Sequence, residues 1–398
     1  MIRRFHVQNF RMLRSCSFDL SHALLLAGSA ACGKSSVLAA IQFVSDIVGS
    51  SASAATRALA PSVMDLAFDP SRPIAFAVEL VPSSGSGPCT RYELELCHDD
   101  QRVARISREH LFVVANVSML DEPPPMQQAL FEPDPTEHSL IHDRTPRGWR
   151  RVVAKSTESR DYFWDERSDW HNMLRFGADR SALGCLPEDA GRFPTALGAR
   201  DFLRERVSTI AFEIAALRRS APPGSHARLH SDGSNLPCAV RALKESSPDK
   251  FARWQEALRL AVPGFAEASV RERESDRHLV LEAKFDGSRE TPVPSWCLSD
   301  SLLRLMALTL LPNQLSGTDE MVLIDEPETA LHPRGVHLAY ELLKSIDLPA
   351  QILCATASSL LTGRAEREEV IVLRRGDDGG CEVLVGDDLP PKTSWLEA

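Results

Sequence analysis

The sequence predicts an α/β protein with a mixed sheet, and two widely separated segments carry this prediction. The first segment, Gly28 to Ser36 (GSAACGKSS), fits the pattern G-x-x-x-x-G-K-[ST]. It lies between the apolar run Ala23 to Ala27 and a helical pattern, which is the order strand, loop, helix. The second segment, Met321 to Glu326 (MVLIDE), is an apolar run that ends in two acids, as expected of a buried parallel strand.

The glycine-bounded loop predicts a phosphate site. Such a loop aims backbone N–H groups and the positive end of a helix dipole at phosphate. We expect Lys34 to reach the β- and γ-phosphates and the Ser35 hydroxyl to bind Mg²⁺. A chance match in a loop rich in small residues is the alternative. The candidate nucleotide-binding residues are Gly28, Ser29, Ala30, Ala31, Cys32, Gly33, Lys34, Ser35 and Ser36.

The acidic end of the second segment predicts the catalytic part of the same site. The carboxyl end of a parallel strand is where an open α/β sheet binds its ligands. Asp325 there can hold Mg²⁺, and Glu326 can orient or deprotonate an attacking water. A strand that ends in a solvated acidic turn is the alternative. Two segments suited to phosphate chemistry in one chain favour a nucleotide-binding protein.

Composition sets limits on the class of protein. The chain has 398 residues, 43% hydrophobic and 25% charged, which is ordinary for a soluble globular protein. Its formal charge of −10 provides no global field for nucleic acid. The nine cysteines are scattered and include no C-x-x-C pair, which favours reduced thiols. No apolar segment is long enough to cross a membrane and no signal-peptide pattern opens the chain, so we expect a cytoplasmic protein.

The remaining patterns predict strands at the beginning and helices in the middle of the chain. Residues 1 to 20 alternate as two short strands, and Ile74 to Val114 has the pattern of an antiparallel meander. Val37, Ile41, Val44 and Val48 form a helical stripe after the phosphate loop. We expect a surface connection from Asp121 to Pro135, irregular helices over 160–220, strands over 351–357, 370–373 and 381–385, and a loose tail from Pro390.

Two segments in the middle of the chain leave alternatives open. Arg144 to Lys155 is the most basic stretch, and it is either a solvated face or a contact for a DNA backbone. The group Asp169, His171 and Asn172 invites a nuclease interpretation, although no second motif or metal-ligand spacing accompanies it. Leu298 to Leu311 predicts an apolar helix whose N-terminus follows a polar turn.

Together these segments resemble the ABC-type ATPases of the AAA family, which are similar to the heads of SMC and RecF proteins and to the ATPase half of OLD nucleases. The resemblance rests on the MIRRFHVQNFR opening, GSAACGKSS, the YELEL meander, SDGSNLPCAVRAL, LSDSLLR and VLIDEPETALHP. It implies a P-loop NTPase head of mixed α/β fold, with an antiparallel meander and a mainly helical insert. The implied parts are an N-terminal half of the head (1–115), an insert or lid (116–225) and a C-terminal half (226–398).

The resemblance also implies roles for residues. Two heads of such proteins bind head to tail with two ATP molecules between them, so Ser299 would meet the γ-phosphate held by a partner copy. Asp325 would bind Mg²⁺ with Ser35, and Glu326 would be the catalytic base. The implied ligands are ATP and Mg²⁺, and the implied partners are a second copy and a separately encoded effector protein, with DNA as a further candidate.

Three positions depart from the family pattern. Ala31 occupies a place in the phosphate loop where glycine permits positive φ. In the signature turn, which contains Ser299 and Ser301, Ser301 stands where relatives have glycine. In the switch turn, Thr356-Ala357-Ser358, Ala357 replaces the histidine of relatives. The loss of one electrostatic contact of this kind raises a barrier by about 2.7–4 kcal/mol. We therefore expect a nucleotide-dependent dimerising switch with slow hydrolysis that controls a DNA-related or anti-phage effector. The alternatives are a nuclease with its site in the insert and a scaffold that does not hydrolyse ATP.

Overall fold

The structure of the chain is a computed structural model that describes residues 1–22, 24–99, 102–121, 139–156, 158–287, 291–315, 317–346, 349–377 and 379–396. Contacts divide the chain into two compact units. The first comprises Met1–Val207 with Glu366–Ala398, and the second comprises Ser208–Ala365. The connection predicted from Asp121 to Pro135 lies outside the described residues from position 122 onward. The division into two half-heads and an insert stays a prediction.

The described chain contains these helices and strands. The strands are β1 (Ile2–Phe10), β2 (Leu13–Asp19), β3 (Leu25–Ala27), β4 (Ile74–Leu80), β5 (Cys89–His98), β6 (Ala104–Val114), β7 (Arg150–Lys155), β8 (Asp161–Trp164), β9 (His171–Leu174), β10 (Val207–Ile210), β11 (Phe265–Glu272), β12 (Leu279–Phe285), β13 (Val293–Pro294), β14 (Met321–Asp325), β15 (Gln351–Thr356), β16 (Val370–Arg375) and β17 (Cys381–Leu384). The helices are α1 (Lys34–Gly49), α2 (Ala52–Leu59), α3 (Ser118–Asp121), α4 (Pro194–Glu205), α5 (Ile214–Leu217), α6 (Leu236–Ser246), α7 (Pro248–Ala261), α8 (Asp300–Leu315), α9 (Pro333–Lys344) and α10 (Ser359–Thr362).

An eight-stranded antiparallel sheet dominates the first unit, in the order β2-β1-β4-β5-β6-β7-β8-β9. The predicted pair of N-terminal strands is confirmed, with Val7 opposite Cys16. The predicted meander is confirmed as β4, β5 and β6, which pair in sequence. Within the β1–β2 pair and within the meander the strands are joined by short connections, so these parts of the fold follow directly from the alternating pattern.

One face of this sheet packs on α1. Phe10 of β1 stacks on Phe43 of α1 with ring centroids 5.6 Å apart, and Phe76 of β4 meets both rings edge-on. The predicted stripe on α1 is confirmed, because its four valine and isoleucine side chains are all buried. The core therefore fixes the helix that begins at the phosphate loop.

The opposite face of the sheet carries buried charges that are paired with one another. Arg91 of β5 donates to Glu79 of β4 at 3.0 Å and to Glu93 at 2.8 Å, and both carboxylates are buried. Burial alone would raise the pKa of Glu93, but hydrogen bonds from His110 and His142 and the Arg91 charge hold that pKa well below its usual range. A lost partner would leave a buried charge unpaired, so this network fixes the strand register.

Three further strands of the first unit position the phosphate loop. β3 pairs in parallel with β16, with Leu25 opposite Val370 and Ala27 opposite Val372. The predicted hairpin near the end of the chain is confirmed by the antiparallel pair β16–β17. The Cys381 N–H at the start of β17 donates to the Met12 carbonyl at 2.9 Å, so this hairpin also contacts the β1–β2 turn.

The second unit combines a small antiparallel sheet, β11-β12-β13, with helices and a parallel strand pair. Gln255 joins α7 to β11 through two hydrogen bonds with the Ala268 backbone, at 2.9 and 2.7 Å. Helix α8 is buried along most of its length, as its apolar sequence predicts. β14 and β15 are parallel, and Asp325 lies opposite Ala355 at their carboxyl ends.

The prediction of irregular helices over 160–220 is wrong for its first part. β8 and β9 occupy 161–164 and 171–174 and extend the sheet, whereas α4 and α5 are helices as predicted. The basic stretch before them is also more than a solvated face, because its last residue, Lys155, is fully buried and pairs with the buried Asp161 carboxylate. A buried ion pair between two strands leaves no signal in the local sequence pattern.

The predicted loose tail is a second correction. Trp395 is fully buried, and its indole N–H donates to the Pro390 carbonyl at 2.8 Å. A single large aromatic side chain provides enough apolar area to hold a short segment against the core.

Candidate functional site

The phosphate loop begins at a glycine that no other residue can replace. Gly28 has φ 149°, and a Cβ built on it would lie 2.2 Å from the Leu373 carbonyl oxygen of β16. Gly33, at the other end of the loop, has φ 110°, and a Cβ built on it would lie 3.4 Å from the Cys381 side chain. Glycine therefore permits the close approach to the β16 backbone at Gly28, and at both positions it adopts a positive φ without strain.

Lys34 holds the loop together from within. Its ammonium group is buried and donates to the carbonyl oxygens of Gly28 at 2.9 Å and Ser29 at 2.6 Å. The ammonium has three donors, and the Cys32 sulfur, 3.7 Å away, is only a weak acceptor for the third. A phosphate oxygen would replace that weak contact while the two carbonyl bonds keep the side chain in place.

Ser35 and Ser36 lie in the first turn of α1, which directly follows the loop. The first N–H groups of a helix have no partner within the helix, and the helix dipole adds positive charge at this end. The Ser35 side chain is exposed. These donors suit the phosphates of a nucleotide, and the hydroxyl suits a hard divalent cation.

Ala31 has φ 60°, in the left-handed region that favours glycine. The sequence analysis found alanine here, where the family that the chain resembles has glycine. The backbone at this position does adopt a positive φ. The conformation costs an alanine on the order of 1–2 kcal/mol. The loop therefore carries local strain at Ala31.

The acidic strand of the second unit ends in two exposed carboxylates. Asp325 is the last residue of β14, and the Glu326 N–H donates to the Ala355 carbonyl of β15 at 2.9 Å. Glu326 has φ 48°, so the chain turns sharply after Asp325 and the two side chains separate. The Thr329 hydroxyl lies 3.2 Å from Glu326 Oε2 and donates to it. The Glu326 carboxylate is thus oriented by the Thr329 hydroxyl.

The signature turn also lies in the second unit. The Ser299 hydroxyl is 3.3 Å from the Leu302 N–H and accepts its hydrogen bond at the start of α8. Asp300 pairs with Arg218 at 2.5 Å. Ser299 is exposed at this helix N-terminus, and Ser301 is half-buried in the first turn.

A comparison with protein families identifies the class to which these elements belong. A family model described as "AAA domain, putative AbiEii toxin, Type IV TA system" matches residues 24–362. The chain belongs to this AAA family. The matched range includes the phosphate loop, the signature turn and the acidic strand of the AAA chain.

Solved structures show the fold of this AAA protein. It is similar to the Smc head bound to the C-winged helix domain of ScpA, with a TM-score of 0.55, 14% sequence identity and 99% of each chain covered. It is also similar to the Smc head domain with an extended coiled coil from Pyrococcus furiosus, bound to the C-terminal domain of ScpA, with a TM-score of 0.48, 14% identity and coverage of 96% and 95%. The first likeness shows that the chain has the fold of an Smc head, the mixed α/β fold that the sequence predicted.

Two further findings complete the comparison of this AAA chain. Its sequence matches none of the curated proteins. None of the described helices combines the length and the apolar composition that a membrane crossing requires.

Beside the acidic strand of the AAA chain, the structure shows a polar contact that the sequence analysis missed. Glu328 accepts hydrogen bonds from the Thr356 hydroxyl at 2.6 Å and from the Ala357 backbone. It therefore ties the turn after Glu326 to the switch turn, in which alanine replaces the histidine of relatives. Burial raises the pKa of Glu328, and the Glu326 charge adds to this rise. Its second oxygen is buried without a partner. The sequence signal that could have identified Glu328 is the presence of a third acidic residue shortly after Asp325 and Glu326.

The group proposed as a nuclease site in the AAA chain is not assembled into a metal centre. Asp169, His171 and Asn172 lie at an exposed sheet edge around β9. Within the described ranges, no group of three or more His, Cys, Asp and Glu residues is arranged to hold a metal ion.

We predict that Ala31→Gly raises the free energy of unfolding by about 1 kcal/mol, because glycine adopts positive φ without strain. Denaturant unfolding measures this change. Ala30→Gly is the matched control, since the adjacent alanine is outside the left-handed region, and it should lower stability by up to about 1 kcal/mol. Equal effects of the two substitutions would contradict the strain at Ala31.

We predict that Glu328→Gln makes the protein relatively more stable at high pH. The pKa of Glu328 is higher in the folded than in the unfolded chain, so its contribution to stability is present at low pH and is lost as pH rises through the folded pKa. The amide keeps an acceptor for Thr356 but carries no buried charge. Thermal unfolding at about pH 5 and about pH 8 tests this. Glu274→Gln, at an exposed turn of the second unit, should follow the wild type at both pH values.

Proposed function

We propose that the chain is an ATP-hydrolysing switch whose nucleotide state controls association between two copies. Lys34 and the N-terminus of α1 would bind the phosphates, and Ser35 and Asp325 would hold Mg²⁺. The observation that carries this proposal is the preformed loop, in which two carbonyl bonds hold the Lys34 ammonium ready for a phosphate oxygen.

The residues of the chain fit these ligands. The loop presents backbone donors and one ammonium, which suit phosphate, and Ser35 and Asp325 present only oxygen atoms, which Mg²⁺ prefers. A bound Mg²⁺ would neutralise charge on the phosphates. Glu326, oriented by the Thr329 hydroxyl, would accept a proton from the attacking water. Ser299, at the N-terminus of α8, would contact the γ-phosphate bound by the partner copy.

Hydrolysis should be slow, because one stabilising contact of the family is missing. Ala357 has no imidazole to stabilise charge in the transition state, and losing one such contact costs about 10²–10³ in rate. Glu328 lies beside the switch turn, but it is half-buried and accepts a hydrogen bond from the Thr356 hydroxyl, so it cannot replace that donor. ATP-driven association would then outlast turnover, which suits a switch.

The wider role follows from the relatives. The family description names a putative toxin of a type IV toxin–antitoxin system, which supports a role in defence together with a separate effector. The similar Smc head is bound to a domain of a second protein, ScpA, which supports a protein partner for this head as well. Cytoplasmic location is part of the same proposal.

We predict opposite changes in turnover for two substitutions. Glu326→Gln should remove hydrolysis and retain ATP binding, because the amide cannot take up a proton. Ala357→His should raise the rate at least about tenfold, since it restores a donor in the switch turn. Phosphate release under saturating Mg-ATP measures both, and Glu341→Gln is the control glutamate.

The mass of Glu326→Gln on a sizing column with light scattering tests association. The variant should be a dimer with Mg-ATP and a monomer without nucleotide. Equal turnover of Glu326→Gln and the wild type would mean that Glu326 is not catalytic, and absence of turnover in both would identify a non-hydrolysing scaffold. A mass that does not respond to ATP would eliminate the switch.

A further inference from the structure

The edge of the large sheet carries a row of rings that the nucleotide chemistry does not use, half-buried at Tyr162 and Trp164 and exposed at His171. β9 is the last strand of the sheet, and three of its four residues are exposed. In the β8–β9 pair, Tyr162 lies opposite Met173 and Trp164 opposite His171. Residues directly opposite one another share a face, so these four side chains form one surface, which we call the aromatic platform.

The rings of the aromatic platform are nearly parallel. The Tyr162 and Trp164 rings are 5.6 Å apart between centroids at an interplanar angle of 20°. The Trp164 and His171 rings are 6.4 Å apart at 30°. The stacked rings cover part of one another, and Tyr162 and Trp164 are half-buried, so the outer faces and the edges of the row are the parts open to solvent.

Two arginines stand at one end of the aromatic platform. By strand alternation, Arg160 and Arg175 continue the rows of Tyr162 and Met173. Arg160 hydrogen-bonds to Tyr162, and its Nε–H has no acceptor. Arg160 also pairs with the exposed Glu158 at 3.0 Å. Across the ranges that the structure covers, no hydrogen bond or ion pair occupies Arg175.

The acids around the aromatic platform are mostly engaged elsewhere. Asp161 is buried with Lys155 on the other face of the sheet. The Asp165 carboxylate accepts from two backbone N–H groups of its own turn, at 2.7 and 2.9 Å. Glu166 accepts from the Thr195 and Ala196 N–H groups at the start of α4. The two arginines therefore face fewer free carboxylates than the local sequence implies.

We propose that the aromatic platform binds single-stranded nucleic acid. Unpaired bases stack on Tyr162, Trp164 and His171, and Arg160 and Arg175 contact the phosphates between them. Stacking needs only the π face that every base has, so binding is tolerant of sequence. A duplex hides those faces and is therefore a poorer ligand for this surface. The proposal is independent of nucleotide binding at the phosphate loop.

Fluorescence anisotropy of a labelled oligothymidine of about 15 nucleotides, without ATP, tests the proposal on the full chain. We expect Trp164→Ala to weaken binding about tenfold. With two phosphate contacts, the slope of log affinity against log salt should be about −1.4, and Arg175→Gln should reduce it to about −0.7. Oligouridine of the same length should bind similarly, and a duplex should compete poorly.

The controls are an exposed tryptophan and an exposed arginine of the second unit. Trp296→Ala and Arg253→Gln should bind as the wild type does. Thermal unfolding shows whether Trp164→Ala is folded. If that variant is unfolded, Arg175→Gln decides the outcome, because Arg175 is exposed and its substitution leaves the fold intact. Absence of binding, equal affinity of the platform and control variants, or equal competition by duplex would overturn the proposal and leave a protein partner as the ligand of this face. None of these results bears on the ATP switch.

Discussion

A buried ammonium group holds the phosphate loop in shape, and the chemistry proposed for this protein depends on it. Lys34 bonds two carbonyl oxygens at the start of the loop while its own backbone begins α1. The loop is thereby fixed at both ends, by Gly28 against β16 and by Gly33 against β17. Because the backbone path of the loop is fixed, Ala31 is held in a left-handed conformation and cannot move to a more favourable one. Preorganised donors lose little entropy when a ligand binds, which is the advantage of storing strain at such a site.

The antiparallel sheet gives the first unit a second role besides supporting α1. Its core face is a closed aromatic cluster around Phe10, Phe43 and Phe76. Its other face holds buried charge pairs near β4 and β5, and the sheet continues into an exposed aromatic edge at β8 and β9. One sheet can therefore fix the nucleotide helix at one end and present a binding surface at the other, with the paired charges keeping the strands between them in register.

The sequence was informative where function and local structure coincide. The phosphate loop, the stripe on α1, the β1–β2 pair, the meander and the C-terminal hairpin all follow from patterns within a few residues, and all were predicted. The misses depend on contacts between distant residues. β8 and β9 are short and polar or aromatic, and Lys155 is buried only because Asp161 pairs with it. Trp395 is buried by the fold around it, and Glu328 gains its role from Thr356, which lies in a different strand. No local pattern encodes such pairs.

Calorimetric titration of the full chain with Mg-ATP tests the central claim most directly. The preformed loop predicts a measurable heat of binding with one nucleotide per chain, and its loss in Lys34→Ala, whereas Lys284→Ala on the exposed side of β12 should bind as the wild type does. No heat for the wild type, or an unchanged titration of a folded Lys34→Ala variant, would contradict the account.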